Sequence, residues 1–389
     1  MKNLNVCYVV ASQIGTIGMG STSYYALNGI EKSGLSYKAF CRGYKKDIML
    51  DKRNLTDYSV LEYLTYPFRF LEKFCGIKIN SFTLVNKLFG KLIFLNLPKS
   101  RIYHTWINIS PEAIISAKKN GSILILEGAN SHPLNVTKIM NKEYKIFNIN
   151  EHIDLDKAKK EAEIYNAFDY VMCPSDFVYD SFLEEGFNKK KLIKIPYGVD
   201  IDKFTPAKNK AKSEKIKFIF VGSVQLRKGI QYLLQAWDEL KLKNAELIVV
   251  GRVWQDALKI VEKYKLNKTI KFIGFESNPV NLLQQCNVFI SPSLEEGSAL
   301  TCYEAMACGL PLIATFNTGS IARNNKEGFI IPIRSIKALK EKINYLYNNP
   351  KQIEKMGKAA RKQVEQYTWD KYGERLAKVY KRILNENKS

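Results

Sequence analysis

The chain has 389 residues, 46% hydrophobic and 25% charged, with 60 basic against 38 acidic side chains and a net charge of +22. That length exceeds one ordinary core and argues for two domains of under about 200 residues each, and the composition excludes a disordered chain. No run approaches the ~20 consecutive apolar residues of a membrane span, and the opening MKNLNVCYVVASQIG reads as a first strand, not a signal peptide.

In chain order, NVCYVV is a short apolar run followed by a glycine-containing loop, IGTIGMGS. TSYYALNGIEKSG then has a helical period that stops at Gly34, and LSYKAFCRG is rich in β-formers. Segment 60–98 mixes aromatics with Lys and Arg, and two readings stay open: an amphipathic stretch lying on a bilayer, or a core-facing helix. RIYHTW, SPEAIISAKKNG and SILILEG follow as strand, helix and strand. IPYGVDIDKFTPAKNKAKSEK, with its Pro, Gly and charge, is the interdomain linker. The second half repeats the pattern more clearly. Strands KIKFIFVGS, AELIVVGR, TIKFIGF, NVFISPS and LPLIATF alternate with helices GIQYLLQAWDELKLK, ALKIVEKYKLN, NPVNLLQQC and ALTCYEAMACG, and the chain is helical from Ser335 onward. Near-continuous apolar strands alternating with helices predict doubly wound parallel sheets that bind ligands at the carboxyl ends of their strands.

The seven cysteines (Cys7, Cys41, Cys75, Cys173, Cys286, Cys302, Cys308) are scattered and never spaced Cys-x-x-Cys, and the three histidines, His104, His132 and His152, lie far apart. Buried thiols in a reducing cytosol fit this pattern; a zinc site or disulfide framework does not. The excess charge favours anionic partners such as a membrane surface, a polyanionic acceptor or nucleic acid, with a solvated Lys-rich surface as the alternative.

The strongest local signal is ISPSLEEGSALTCYEAMACGLP, residues 290–311. A strand ends at the Ser-Pro, a loop carries Glu295, Glu296 and Gly297, and a helix runs to Gly309. The amides of Gly297, Ser298, Ala299 and Leu300 fall at the helix start, where unsatisfied N–H groups and the helix dipole favour an anion such as a diphosphate. Glu304 follows Glu296 by eight positions. At a helical rise of about 1.5 Å per residue, two turns set them about 10 Å apart, a span that fits a sugar at one carboxylate and a ribose diol at the other. Taken alone, a helix with one capping and one exposed glutamate is the simpler account of the pair, since surface glutamates are common.

A second strand-to-helix turn, FVGSVQLRKG, lacks the spacing of a nucleoside-triphosphate loop. It sets Gly222 and Ser223 ahead of Arg227 and Lys228, two adjacent cations that suit two phosphates or simply flank a helix. The Gly15, Gly18, Gly20 loop is no dinucleotide fingerprint, but it permits close backbone approach by the opposite domain or its ligand. His132, after SILILEGANS, sits where a cleft residue is expected, and His104 also ends an apolar run.

These blocks, with VMCPSDFVYDSFLEEGF, KLIKIPYGVDIDKF and GKAARKQVEQYTWDKYGERLAKVY, resemble the retaining glycosyltransferases of family four, the glycosyl transferases group 1 superfamily, over most of residues 100–389. The resemblance implies a GT-B fold, an α/β architecture of two Rossmann-like doubly wound parallel-sheet domains facing a central cleft. Residues 1–195 would form the acceptor domain, completed by a C-terminal helix at 371–389, and residues 196–370 the donor domain. It implies a nucleotide diphosphate sugar as co-substrate, neither cofactor nor metal, and a saccharide or lipid-linked acceptor. Nucleic acid is then not the partner, and the location is cytoplasmic, with an anionic membrane face as a further partner. By resemblance Glu296 holds the sugar beside the amides of Gly297, Ser298 and Ala299, and Glu304 holds the ribose. Lys228 grips the diphosphate, Gly18 belongs to an acceptor-side glycine pair, and His132 lies near the sugar. Three departures stand out: Ser223 replaces an arginine, whose charge Arg227 would partly supply, Ile17 replaces a glycine, and Tyr197 replaces an asparagine. A nucleotide-sugar 2-epimerase on the same architecture and a non-catalytic basic binding protein are the competing readings.

Overall fold

The structure, a computed structural model, describes residues 4–67, 81–106, 111–208 and 215–387, without the side chains of residues 81–83. Two parallel sheets divide the chain. The first contains β1 (Leu4–Val10), β2 (Tyr37–Cys41), β3 (Leu55–Asp57), β4 (Ser100–Trp106), β5 (Ile123–Glu127), β6 (Tyr170–Cys173) and β7 (Leu192–Lys194), in the order β3-β2-β1-β4-β5-β6-β7. The second contains β8 (Ile216–Val221), β9 (Ala245–Val250), β10 (Ile270–Gly274), β11 (Val288–Ser291), β12 (Leu312–Thr315) and β13 (Gly328–Ile331), in the order β10-β9-β8-β11-β12-β13. The two α/β domains and their parallel sheets match the fold class expected from the sequence.

Burial explains the apolar runs. Residues Val6 to Val10 of β1 and Phe218 to Phe220 of β8 are covered on both faces by helices, so their sequences show no polar alternation. The short edge strands β3, β7 and β13 have three or four residues each, too few for a period to show. Strand order reverses between β1 and β4 and again between β8 and β11. The loops after β1, β8 and β11 therefore open at topological switch points, where α/β sheets bind ligands.

The chain crosses between domains along paired segments. Val199 N–H donates to Tyr367 O (3.0 Å), and Arg375 Nη2 donates to Pro196 O (2.9 Å). The last helix, Trp369–Glu386, returns to pack on the Met19–Lys32 helix of the first domain. Their crossing is close because glycine stands on both sides: a Cβ on Gly29 would lie 2.4 Å from Gly373 Cα. His104 is wholly buried at this junction, with Nε2 3.2 Å from Glu127 Oε2 and Nδ1 against Tyr380 Oη of the last helix. It is thus a structural residue, held between the first domain's sheet and the last helix. Of the cysteines, Cys7, Cys41, Cys173, Cys286, Cys302 and Cys308 are buried, and none of them is in a disulfide. Cys75, residues 68–80 of the amphipathic segment and residues 209–214 of the linker lie outside the described residues. Among the described residues no helix is long and apolar enough to cross a membrane.

Candidate active site

The loops after β8 and β11 are knitted into one unit. Leu294 N–H donates to Arg227 O (2.8 Å), and Gly229, in the left-handed conformation at φ 71°, sits so close to Pro292 that a Cβ would come 2.0 Å from its carbonyl oxygen. No other residue satisfies both demands. A single 3-10 turn, Leu226–Lys228, projects the two cations, and Asp256 Oδ2 accepts the Leu226 N–H (3.1 Å) to hold it. The β11 loop is strapped from the other side by Asn317 Nδ2 to Leu294 O (2.7 Å) and Thr318 Oγ1 to Ser291 O (2.8 Å).

Lys228 Nζ contacts the Glu296 carboxylate in this unit. Burial and the neighbouring Arg227 push the Lys228 ammonium down to about 7, against the opposing pull of Glu295 and Cys302. Ser223 and Gly222 lie at the mouth of the turn, where Gly222 N–H is bound to Val250 O (2.9 Å).

Two sequence expectations need correction here. The helix after β11 spans Leu300–Ala307, so Glu304 lies on it and Glu296 lies in the preceding loop. The two glutamates are therefore not related by two helical turns. Ala299 N–H is also committed, donating to Thr318 O (3.1 Å), whereas the N–H groups of Gly297 and Ser298 have no acceptor among the described residues. The Ser298 hydroxyl donates to Gly319 O (2.9 Å), which fixes the loop from its side-chain face. Leu300 opens the helix, and no side chain caps its start. Burial raises the Glu304 carboxyl to about 7, with Lys203 of the interdomain segment opposing the shift.

Arg227, expected to supply part of the missing arginine's charge, is paired with carboxylates in this structure. Its Nη1 donates to Glu295 Oε2 (2.9 Å), and its Nη2 is 3.9 Å from Glu296. Glu295, wholly buried, takes its remaining bonds from the first domain: Ser131 donates to its Oε1 through N–H (3.1 Å) and Oγ–H (3.0 Å). Glu295 thus joins the two domains, a role the sequence reading missed because its partner is 164 residues away. Ser175 adds a second tie, donating from Oγ to Gly297 O (2.6 Å) while also capping the Asp176–Glu184 helix.

His132 follows Ser131 and is the N-cap of the Pro133–Ile146 helix, its Nδ1 accepting the Leu134 N–H (3.4 Å). The ring is 5% exposed and packs edge-on against Phe182, and burial pushes its pKa down to about 4, so the imidazole is neutral at physiological pH. On the first domain's side, Gly18 at φ 79° is the N-cap of the Met19–Lys32 helix, again with no side-chain cap. Gly20 is packed so tightly that a Cβ would lie 2.2 Å from Gln13 O.

This loop unit offers an anionic ligand the Lys228 ammonium, the unbonded amides of Gly297 and Ser298 and a helix start, with the Glu296 carboxylate beside the lysine and Glu304 further along the helix. Residues 202–363 match the sequence model of the glycosyl transferases group 1 family. Among curated relatives, the capsular polysaccharide biosynthesis glycosyltransferase CapM of Staphylococcus aureus is 30% identical over 209 residues, 49% of this chain and 54% of CapM. The N,N'-diacetylbacillosaminyl-diphospho-undecaprenol alpha-1,3-N-acetylgalactosaminyltransferase of Campylobacter jejuni is 26% identical over 223 residues, 54% of this chain and 58% of the relative. The chain thus spans little more than half the length of these relatives. Among solved structures, HepE of Anabaena in complex with UDP and glucose superposes with a TM-score of 0.68 at 13% identity, covering 98% of this chain and 100% of HepE. Residues 202–363 of this chain are thus similar to the glycosyl transferases group 1 family, and the two domains together form a GT-B fold.

Proposed function

We propose that the protein is a glycosyltransferase that moves a hexose-type sugar from a nucleotide diphosphate donor, held by the C-terminal domain, to a hydroxyl of a saccharide or lipid-linked acceptor held by the N-terminal domain. The observation that carries this reading is the convergence of Lys228, Glu296, the amides of Gly297 and Ser298 and the Glu304 helix at one switch point. Without donor, Lys228 rests on Glu296. On binding, the diphosphate takes the ammonium, and the released Glu296 carboxylate accepts hydrogen bonds from sugar hydroxyls. Glu304 accepts the ribose hydroxyls from its place on the helix.

In the mechanism we infer, Lys228 and the helix-start dipoles stabilise charge on the departing diphosphate. Domain closure excludes water and aligns the acceptor hydroxyl, whose proton passes to the leaving phosphate. A neutral, buried His132 shapes the sugar pocket through its helix. Transfer with retention of anomeric configuration and without a metal belongs to the same proposal. HepE, which binds UDP and glucose, supports the donor class, and the Campylobacter relative, whose name includes diphospho-undecaprenol, supports a lipid-linked acceptor.

We place the enzyme in the cytoplasm against the inner membrane face. Six basic residues and no acidic ones lie between Glu72 and Glu112. The Ser81–Asn96 helix presents Leu84, Lys87, Lys91 and Leu95 to solvent, at the spacing of one helical face. Tyr63 and Tyr66 are exposed nearby, at 65% and 57%. A thermal-shift screen over a panel of nucleotide sugars tests the assignment: the true donor raises Tm by mass action, and no shift with any member refutes it. Conversion of the donor's sugar without an acceptor would instead support the epimerase.

A further inference from the structure

Away from the glutamate loop the two domains meet a second time, around a carboxylate. Glu143, on the Pro133–Ile146 helix of the first domain, is 0% exposed. Its Oε1 accepts hydrogen bonds from Gln231 Nε2 (2.8 Å) and Tyr232 Oη (2.7 Å), and its Oε2 accepts one from Arg334 Nε (2.7 Å). All three donors belong to the second domain. Arg334 also reaches back with Nη2 to Ile139 O (2.8 Å), one turn earlier on the same helix. Phe147 closes the seam with an edge-on contact to the Tyr232 ring at 6.0 Å.

A wholly buried carboxylate is tolerated only when its charge is compensated, and here the compensation comes from across the boundary. Arg334 makes its contribution from an unusual backbone. It lies at φ 61°, a left-handed conformation that residues other than glycine, asparagine and aspartate adopt rarely. Such strain persists where the surroundings fix it.

The position of this contact ties it to the donor site. Gln231 and Tyr232 lie in the first turn of the Ile230–Leu240 helix, three and four residues beyond Lys228. At its other end, the helix bearing Glu143 begins at His132, next to Ser131 and its bonds to Glu295. Eleven residues separate His132 from Glu143, about 16 Å along a helix. One stiff rod is therefore pinned at both ends to the donor domain, which fixes its direction as well as its distance. Without the Glu143 end, this helix is held to the donor domain only near Ser131, beside the Ser175–Gly297 tie.

We propose that Glu143 is a positioning residue for transfer. It clamps the acceptor-side helix onto the donor-side helix and holds the closed arrangement in which acceptor and sugar are aligned. This rests on the glycosyltransferase reading, and its test separates the two. Full-length Glu143→Ala, Arg334→Ala and the double variant are compared with the wild-type protein by thermal melting, small-angle X-ray scattering, donor binding and steady-state kinetics.

The expected result is a larger radius of gyration in each variant and donor Kd within about twofold of wild type, since Glu143 lies outside the donor pocket. kcat falls about tenfold or more, through lost alignment. The double variant falls no further than the worse single one, because the pair acts as a unit. Glu143→Gln, which keeps shape and an acceptor oxygen, recovers part of the kcat. Unchanged scattering in folded Glu143→Ala, or donor Kd and kcat lost in equal measure, overturns the proposal. If the wild-type protein neither binds a donor nor transfers sugar, the enzymatic reading fails, and scattering alone still decides whether Glu143 clamps the domains.

Discussion

Gly297→Ala isolates domain closure with a single methyl group. Gly297 has no left-handed backbone to lose, so the effect of alanine is steric. In this structure its Cβ would lie 1.7 Å from Ala129 O of the opposite domain. Reaching an ordinary contact of about 3.2 Å requires the loops to part by about 1.5 Å. That movement stretches the bonds from Ser131 to Glu295 (3.0 and 3.1 Å) and from Ser175 to Gly297 O (2.6 Å) beyond hydrogen-bonding range. Two of these bonds end on a carboxylate, worth about 1.5 kcal/mol or more each, and the third contributes about 0.5 kcal/mol or more. The sum, about 3.5 kcal/mol at the lower end, corresponds to a loss of roughly 300-fold in the population of the closed form relative to an open one. Steady-state transfer kinetics and X-ray scattering with saturating donor are the assays. We expect kcat to fall by about 100-fold or more and the donor-bound particle to stay expanded. An alanine variant with wild-type kcat and wild-type scattering would refute the argument.

Lys228→Ala and Glu304→Ala should each weaken donor binding or turnover by about tenfold or more, a loss of ~1.4 kcal/mol, and wild-type kinetics in both would remove the assigned site. Proton linkage provides a separate check, because Lys228 and Glu304 are both placed at about 7. A diphosphate favours the charged lysine and a ribose diol the charged glutamate. Donor binding should therefore take up protons near pH 8 and release them near pH 6, measurable by calorimetry in buffers of different ionisation enthalpy. The same sign at both pH values contradicts the assignment. EDTA should leave the transfer rate unchanged, and a loss rescued by a divalent ion would show that a metal carries the diphosphate charge. Vesicles containing anionic lipid should bind the protein at low salt and release it at high salt, and no binding at low salt ends the membrane assignment.

The fold was legible because most of its strands are near-continuous apolar runs separated by clear helices. The edges were not: Leu55–Asp57, Leu192–Lys194 and Gly328–Ile331 are too short to carry a period. Lys228, Glu296 and Glu304 stood out in the sequence as a cation and two carboxylates beside glycine turns, and the structure sets Lys228 against Glu296. Their tertiary partners could not. Glu295 and Glu296 are neighbours of identical type, and nothing local says that one faces Ser131 and Arg227 while the other meets Lys228. Glu143 lies in an amphipathic helix of ordinary composition, and its burial arises only when Gln231, Tyr232 and Arg334 are brought to it from residues about 90 and 190 positions away. The two-turn spacing of Glu296 and Glu304 failed because residues 296–299 are loop, where a helical rise per residue does not apply.

A crystal structure of the protein with its nucleotide sugar tests the central claim most directly. The account predicts the diphosphate within hydrogen-bonding distance of Lys228 Nζ and the amides of Gly297 and Ser298, the ribose on Glu304, and Glu296 released from Lys228 to face the sugar. A diphosphate bound elsewhere, or a Lys228–Glu296 pair left intact beneath the bound donor, would contradict it.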